Sequence, residues 1–535
     1  MKKIIALILA ALLLAALLVG CGSSGGASAG GSGNSGGSGN SGGSASSGGS
    51  GDKAPASAKD TIVIGCETEP ASIGPTGSTG EQTVRVRRLL CEGMFDVNQA
   101  GEFIPKLATS WEWTDDQTLV FHLREGVKFS DGIDFTADDV VFTVENQMAT
   151  GGSLLSQYVD EVKALDTYTV SVHFNQPNSL CFDKFSTQWL PVIHKETFEA
   201  DPNEMNYDII GTGPYVLKEW VTGESMTLER NENYWGEPAK IKNVVFRFIS
   251  EGSARTVEME TGGIDINCFL DASDREYFQG DEYVVTLNPG VFLRELFFNL
   301  SRETPIKDVR VRKAIAYAFD VEGMCETYLD GTSEALTSNI SPTYAAIYEP
   351  GKEILYSYNL DKAKELMAEA GYPDGGFKLS LLCSATNQAD TDQAQILQAA
   401  LKPLGIDVEL VMRDSMTWYT TVLEKQEWDM CWFSLGDESP VFAWMHFLGD
   451  TDNFGMPDYT FYRNDKFTEA LTEATKTNDQ ARQKELFAFM NDCVTEDLPM
   501  YSLYDPSIIC VYNSKLQGIE YRSGRFNVEE MYFVE

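Results

Sequence analysis

The sequence predicts an α/β protein of at least two lobes, preceded by an address and a tether. Three observations carry this. The chain has 535 residues, and single hydrophobic cores stop growing at roughly 250–300 residues. In the second half, apolar runs of strand length alternate with segments whose apolar residues recur every three or four positions, the signature of an α/β lobe. Low complexity is confined to the amino terminus.

The amino-terminal elements come first. Lys2 and Lys3 precede an apolar run from Ile4 to Val19. That run is short for a membrane-spanning helix, which needs about 20 residues, and fits a secretory signal over 1–20. It ends in Leu18-Val19-Gly20-Cys21. From Gly22 to Gly51, 25 of 30 residues are Gly or Ser. Such a stretch buries no apolar surface, so 21–59 is expected to act as a flexible tether.

Order is expected to begin at Thr61-Ile62-Val63-Ile64-Gly65, a β-branched run read as a buried strand. Thr118–Phe129 alternates around Glu125-Gly126 and reads as a hairpin. Asp131-Gly132 marks a turn, and Thr136 with Asp139 opens a helix in near capping-box spacing. Residues 212–220 and 225–231 form a strand pair, and 292–298 a strand. Asp308 caps a helix whose core face is Val311, Ala314, Ile315, Ala318 and Phe319. A helix over 361–370 stops at Gly371 and Pro373. Another spans about 391–404, and 406–411 is a strand.

Lys plus Arg total 41 against 80 Asp plus Glu, a net charge of −39. That surface repels nucleic acid and anionic lipid headgroups, so no nucleic-acid partner is expected. It suits solubility and tolerates cationic or zwitterionic ligands. Ten cysteines include no C-x-x-C pair. Without Cys21 nine remain, so at least one thiol has no partner in the chain, and most are expected to be small buried apolar residues. The four histidines show no zinc spacing, and G-x-S-x-G, H-E-x-x-H and P-loop motifs in a fitting context are missing. No enzyme, metal or cofactor is expected.

Four stretches then carry a resemblance. They are EGMFDVNQAGEFIPKLATSWEW…FHLREGVKFSDGIDFTADDV (92–140), GTGPYVLKEW with LERNENYW (211–235), PIKDVRVRKAIAYAF (305–319) and DKAKELMAEAGYPDGG (361–376). In this order they resemble the bacterial extracellular solute-binding proteins of family 5, which serve peptide, nickel and opine ABC importers. The resemblance runs from about Thr61 to the carboxyl terminus. It implies a two-lobed periplasmic-binding-protein-like fold of class II with an extra inserted domain. Lobe I would take 60–82, 205–290 and 500–535, the insertion 83–204, and lobe II 291–499. Leu18–Cys21 similarly resembles a lipobox, implying cleavage after Gly20 and lipid on Cys21. The protein would then be lipid-anchored on the extracytoplasmic face as a monomer, with an ABC permease and a small-molecule or peptide ligand as partners. A sensor or adhesin role, or a metal chelate or sugar as ligand, would use the same fold.

For the site, peptide-binding relatives place an aspartate after a Trp- and Gly-containing strand end, where it pairs with the ligand α-amino group. The match here is Asp437 in WFSLGDESP, although Ser434 stands where a Trp is usual. Its plain alternative is a helix cap. Arg294 and Arg413 are candidates for a ligand carboxylate. Trp189, Trp418, Trp432, Phe292 and Tyr215 are candidate aromatic contacts or core residues. Glu69, in the loop after the first strand, is a candidate contact at a strand end.

Overall fold

The computed structural model describes residues 57–535 apart from 75–80, 99–101, 151–153, 179–180, 201–208, 289, 291, 341–350, 352–353, 386, 436–443, 446–447, 450–457, 478 and 523–524. The sixteen strands of the three larger sheets are, in chain order, β1 (Thr61–Cys66), β2 (Ala108–Trp113), β3 (Thr118–Leu123), β4 (Val159–Asp166), β5 (Thr169–Phe174), β6 (Tyr215–Val221), β7 (Ser225–Arg230) and β8 (Asn243–Phe248). Then follow β9 (Ile266–Asn267), β10 (Tyr283–Asn288), β11 (Leu293–Phe298), β12 (Phe377–Ser384), β13 (Ile406–Arg413), β14 (Met430–Leu435), β15 (Met500–Tyr504) and β16 (Ile508–Asn513).

They form two central sheets and a third. A seven-stranded sheet runs β10-β16-β9-β1-β8-β7-β6, and a five-stranded sheet runs β13-β12-β14-β11-β15. A four-stranded sheet, β2-β3-β5-β4, is built from chain lying between β1 and β6. The chain leaves one central sheet after Asn288 and enters the other at Leu293, and it returns between Tyr504 and Ile508. This is a two-lobed α/β fold. The expectation that all of 500–535 belongs to lobe I does not hold, because Met500–Tyr504 pairs with β11 inside the lobe II sheet. The second crossing therefore falls after Tyr504. The body begins and ends in lobe I, where Ala58 N donates to Phe533 O at 2.8 Å and Phe533 N donates to Ser57 Oγ at 3.0 Å.

Local sequence logic explains most elements. The Asp308 carboxylate accepts from Arg310 N at 2.9 Å and starts the helix Val309–Ala318. Its predicted core face is buried throughout. The Asp139 carboxylate reaches back to Thr136 N at 2.9 Å, closing the predicted cap of Ala137–Thr150. The helix expected from about 391 starts at Gln388, because Asn387 caps it by accepting from Ala389 N. Thr118–Phe129 is not a hairpin. β3 pairs with β2 and β5 instead, and after the Glu125-Gly126 turn Lys128 meets only Asp134 in an isolated bridge.

The motifs that carried the resemblance hold the fold together. Glu92 is buried and accepts from Tyr234 OH at 3.0 Å and Trp235 Nε1 at 2.6 Å, so EGMF and NENYW meet. In GTGPY, a Cβ on Gly211 would lie 2.2 Å from Leu90 O, and one on Gly213 would lie 2.6 Å from Leu89 O. Only glycine lets this strand approach lie against the end of the helix Glu81–Leu90. Gly211→Ala is expected to destabilise the body by about 2–3 kcal/mol, because backbone cannot yield as a side chain tip does. A shift in urea midpoint measures this, and an unchanged midpoint would contradict it.

The nine cysteines after Cys21 are thiols rather than disulfides. Eight are buried and Cys493 is half-buried. Among the described residues no helix is long and apolar enough to cross a membrane.

Candidate functional site

Strand direction points to a candidate site. β11 leaves the first crossing and β15 returns to the second. β14 is antiparallel to β11, and β12 and β13 run parallel to β14 and to each other. The carboxyl ends of β12, β13, β14 and β15 therefore all point to the crossings. In lobe I, β16 starts at the second crossing, β9 is antiparallel to it, and β1 is parallel to β9. The carboxyl ends of β1 and β9 point the same way. Open α/β sheets bind ligands at such ends.

The crossings hold each other. Gly290 N donates to Asp505 Oδ1 at 3.0 Å. A Cβ on Gly290 would lie 2.2 Å from Pro506 O, so glycine is required for the approach. Burial pushes the Asp505 carboxyl up to about 7, with the Gly290 N–H opposing that rise.

The structure separates the candidate residues. Asp437 and Cys21 lie outside the described residues. Asp437 follows β14, whose last residue pairs with Leu293 beside the first crossing. Phe292, at that crossing, is about half exposed. Arg413 closes β13 at the same end and is exposed, with Nη1 donating to the neighbouring Met412 O. Trp418 stands on the helix Ser415–Thr420 and packs on Phe433, ring centroids 5.3 Å apart.

Other candidates are committed elsewhere. Arg294 is buried on the opposite sheet face, where it pairs with Asp390 Oδ1 at 2.8 Å and Gln393 Oε1 at 2.9 Å. Its guanidinium lies 4.8 Å from the ring of Trp432, itself a core residue at 1% exposure. Tyr215 is core in lobe I and donates to Ile241 O. Trp189 belongs to the inserted chain segment, under the Lys184 ammonium at 4.1 Å. Glu69 clasps the β6–β7 hairpin, accepting from Trp220 Nε1 at 2.6 Å and Gly223 N at 3.0 Å. It borders an open depression of about 710 Å³ with Leu217 and Trp220. A second depression of about 470 Å³ lies at the Lys59–Asp265 ion pair. Neither is lined by lobe II, so neither spans the lobes.

Sequence reasoning passed over Glu295. It lies mid-strand in β11, paired across to Phe433 on one side and Ser502 on the other. It is fully buried, and burial pushes its carboxyl up to about 8 even though Ser502 Oγ donates to Oε1 at 2.8 Å. The signal was present in LRELFF: alternation puts Leu293, Glu295 and Phe297 on one face, with an acid between two apolar residues. Among the described residues no cluster of three His, Cys, Asp or Glu could hold a metal ion.

The comparisons agree with this geometry. A family model for bacterial extracellular solute-binding proteins, family 5 Middle, matches residues 102–455. The glutathione-binding protein GsiB of Escherichia coli (strain K12) is 24% identical over 487 residues, covering 86% of this chain and 92% of that protein. Among solved structures, HbpA2 from Haemophilus parasuis superposes with a TM-score of 0.80 at 21% identity, over 89% of this chain and 100% of that one. A dipeptide binding protein from Pseudoalteromonas sp. SM9913 in complex with Met-Leu gives 0.72 at 22%, with the same coverage. Two lobes joined at two adjacent crossings, motifs in family order and a matching family model lead to one conclusion: the chain belongs to the bacterial extracellular solute-binding proteins, family 5.

Proposed function

We propose that the protein captures an oligopeptide between its lobes outside the cell membrane and delivers it to an ABC importer, tethered by lipid on Cys21. The observation that carries this is the convergence of strand carboxyl ends from both sheets on the paired crossings. A solute lodged there touches both lobes at once. It binds the closed arrangement better than the open one, and that difference in affinity is what shifts the population. The cycle requires no bond chemistry. Relatives named for glutathione and for a dipeptide support a peptide-like ligand.

In this reading Asp437 pairs with the ligand α-amino group, since a carboxylate in a closed cleft holds an ammonium by charge-assisted hydrogen bonds. Asp437→Ala is expected to weaken binding of an amine-bearing ligand more than about tenfold, while the melting temperature of the empty protein stays nearly unchanged. Untouched affinity would remove Asp437 from the site. Mass spectrometry of ligand released from purified protein tests the peptide assignment, and a non-peptide solute would replace it. Globomycin treatment, which blocks lipoprotein signal processing, should leave a precursor of higher mass if Cys21 is lipidated. An unchanged mass would refute the anchor.

A further inference from the structure

Three cysteines stand abreast in the lobe I sheet. β1 and β9 run parallel, with Ile64 opposite Ile266 and Gly65 opposite Asn267. The next pair in that register is Cys66 and Cys268. β9 and β16 run antiparallel with Asn267 opposite Val511, which sets Cys510 opposite Cys268 on its other side. All three belong to the lobe I core, at 0%, 1% and 0% exposure. Register partners on neighbouring strands point to the same face. Such strands lie about 4.8 Å apart, inside the Cα separation of roughly 4.4–6.8 Å that a disulfide spans.

Contacts distinguish the two neighbours of Cys268. Its thiol donates to the Cys66 sulfur. The Cys510 thiol donates instead to the Cys268 carbonyl oxygen, at 3.3 Å. Cys66 and Cys268 therefore meet sulfur to sulfur, while Cys510 is turned to the backbone. The setting of Cys66 favours its thiolate, the reactive form: the Cys268 hydrogen bond, helped by the Arg85 guanidinium, outweighs burial and brings its pKa down to about 7. Burial pushes the Cys91 and Cys325 thiols the other way, up to about 12. Adjacency alone does not make a pair. Cys383 and Cys431 also lie on neighbouring strands, yet Leu382 is the residue opposite Cys431, so those two thiols point to opposite faces. Cys66 and Cys268 also sit where a ladder of two register pairs ends, and strand ends open locally at lower cost than a sheet interior.

We propose that Cys66 and Cys268 are a redox pair that closes to a cross-strand disulfide when the exported chain meets a small-molecule disulfide. The Cys66 thiolate attacks one sulfur of the reagent, whose S–S bond breaks and releases a thiolate. The Cys268 sulfur, giving its proton to solvent, then attacks Cys66 in the mixed disulfide. The Cys66–Cys268 bond forms and the second reagent thiolate leaves. Two protein thiols are oxidised, and one reagent disulfide is reduced to two thiols. The bond ties β1 to β9 at the ends that point to the crossings. It also closes the chain from 66 to 268, which carries the whole four-stranded sheet, and so restricts the unfolded chain. None of this depends on which solute the cleft receives.

The test refolds the full chain, reduced and unfolded in urea, in a mixture of reduced and oxidised glutathione, so that the reagent reaches the pair before it is buried. The refolded protein should carry two fewer alkylatable thiols than the reduced control, and its mass should be about 2 Da lower. Digestion without reduction should yield one linked pair, the peptides holding Cys66 and Cys268. Cys510→Ser should keep that link, and Cys66→Ser and Cys268→Ala should abolish it. Urea unfolding is an independent readout: the oxidised protein should have a higher midpoint than the reduced one, and the two should coincide in Cys66→Ser. A full set of thiols after refolding, a Cys268–Cys510 link, or glutathione held on Cys66 without a link overturns the pair. If the chain aggregates on refolding, the folded reduced protein is incubated with oxidised glutathione and the same three outcomes decide.

Discussion

Arg312→Met is expected to lower the stability of lobe II by about 3–5 kcal/mol, the largest effect of any single substitution considered. Arg312 is 4% exposed. Nε donates to Leu498 O at 2.8 Å, Nη1 donates to Ile306 O at 2.8 Å and Lys307 O at 2.9 Å, and Nη2 donates to Asp497 O. These carbonyls end the long helix Gln480–Asp497 and the 3₁₀ turn Pro305–Lys307, so one side chain terminates two elements at once. Burial pulls its pKa down to about 10, with Asp497 and Asp308 opposing, and it remains charged at neutral pH. Methionine fills the volume but leaves four inward carbonyls without donors. Lysine keeps the charge without the planar fork and should recover only part of the loss. Urea unfolding followed by fluorescence of the buried Trp428, Trp432 and Trp444 measures this. A loss below about 1 kcal/mol would mean that water replaces the fork.

The second large effect is a pH dependence set by Glu295. Its folded-state pKa, about 8, lies above the ordinary carboxyl value of 4.5. The folded protein therefore holds this proton more tightly than the unfolded chain does. Its contribution is fully present below pH 4.5 and is lost progressively as pH rises towards 8. Asp505, raised to about 7, acts in the same direction. The empty protein is expected to be less stable at pH 8.5 than at pH 5.5. Glu295→Gln should recover roughly 3 kcal/mol of that loss, at about 1.4 kcal/mol per pH unit. Urea midpoints at the two pH values for both proteins decide it. Parallel slopes for wild type and variant would show that Glu295 does not titrate in this range.

How much was legible differs between elements and site. Helices with a capping Asp or Asn and a three-four apolar rhythm, such as Val309–Ala318 and Leu360–Glu369, could be read locally because every signal lies within one turn of the residue it concerns. β3 could not. Its alternation was correct, but its partners are 108–113 and 169–174, and pairing partners leave no local trace. The same holds for β15, whose lobe is decided by register with β11 across two hundred residues of chain. At the site, Arg294 and Arg413 looked equivalent in sequence. Strand parity separates them, since Arg294 faces the helix Gln388–Leu401 and finds Asp390 there, while Arg413 reaches the free end of its strand. Glu295 was readable in principle, as a charge on the inward parity of an apolar strand.

Both ends of the folded body sit in one lobe, with Ser57 and Ala58 bonded to Phe533. Whatever grips either end grips lobe I, and lobe II is joined to it through the paired crossings and through contacts such as the Arg275–Asp330 ion pair at 2.8 Å. An affinity tag or sensor-chip attachment after Glu535 would therefore leave lobe II unencumbered. A dye attached near Tyr358, exposed on lobe II, would test whether ligand moves lobe II relative to lobe I.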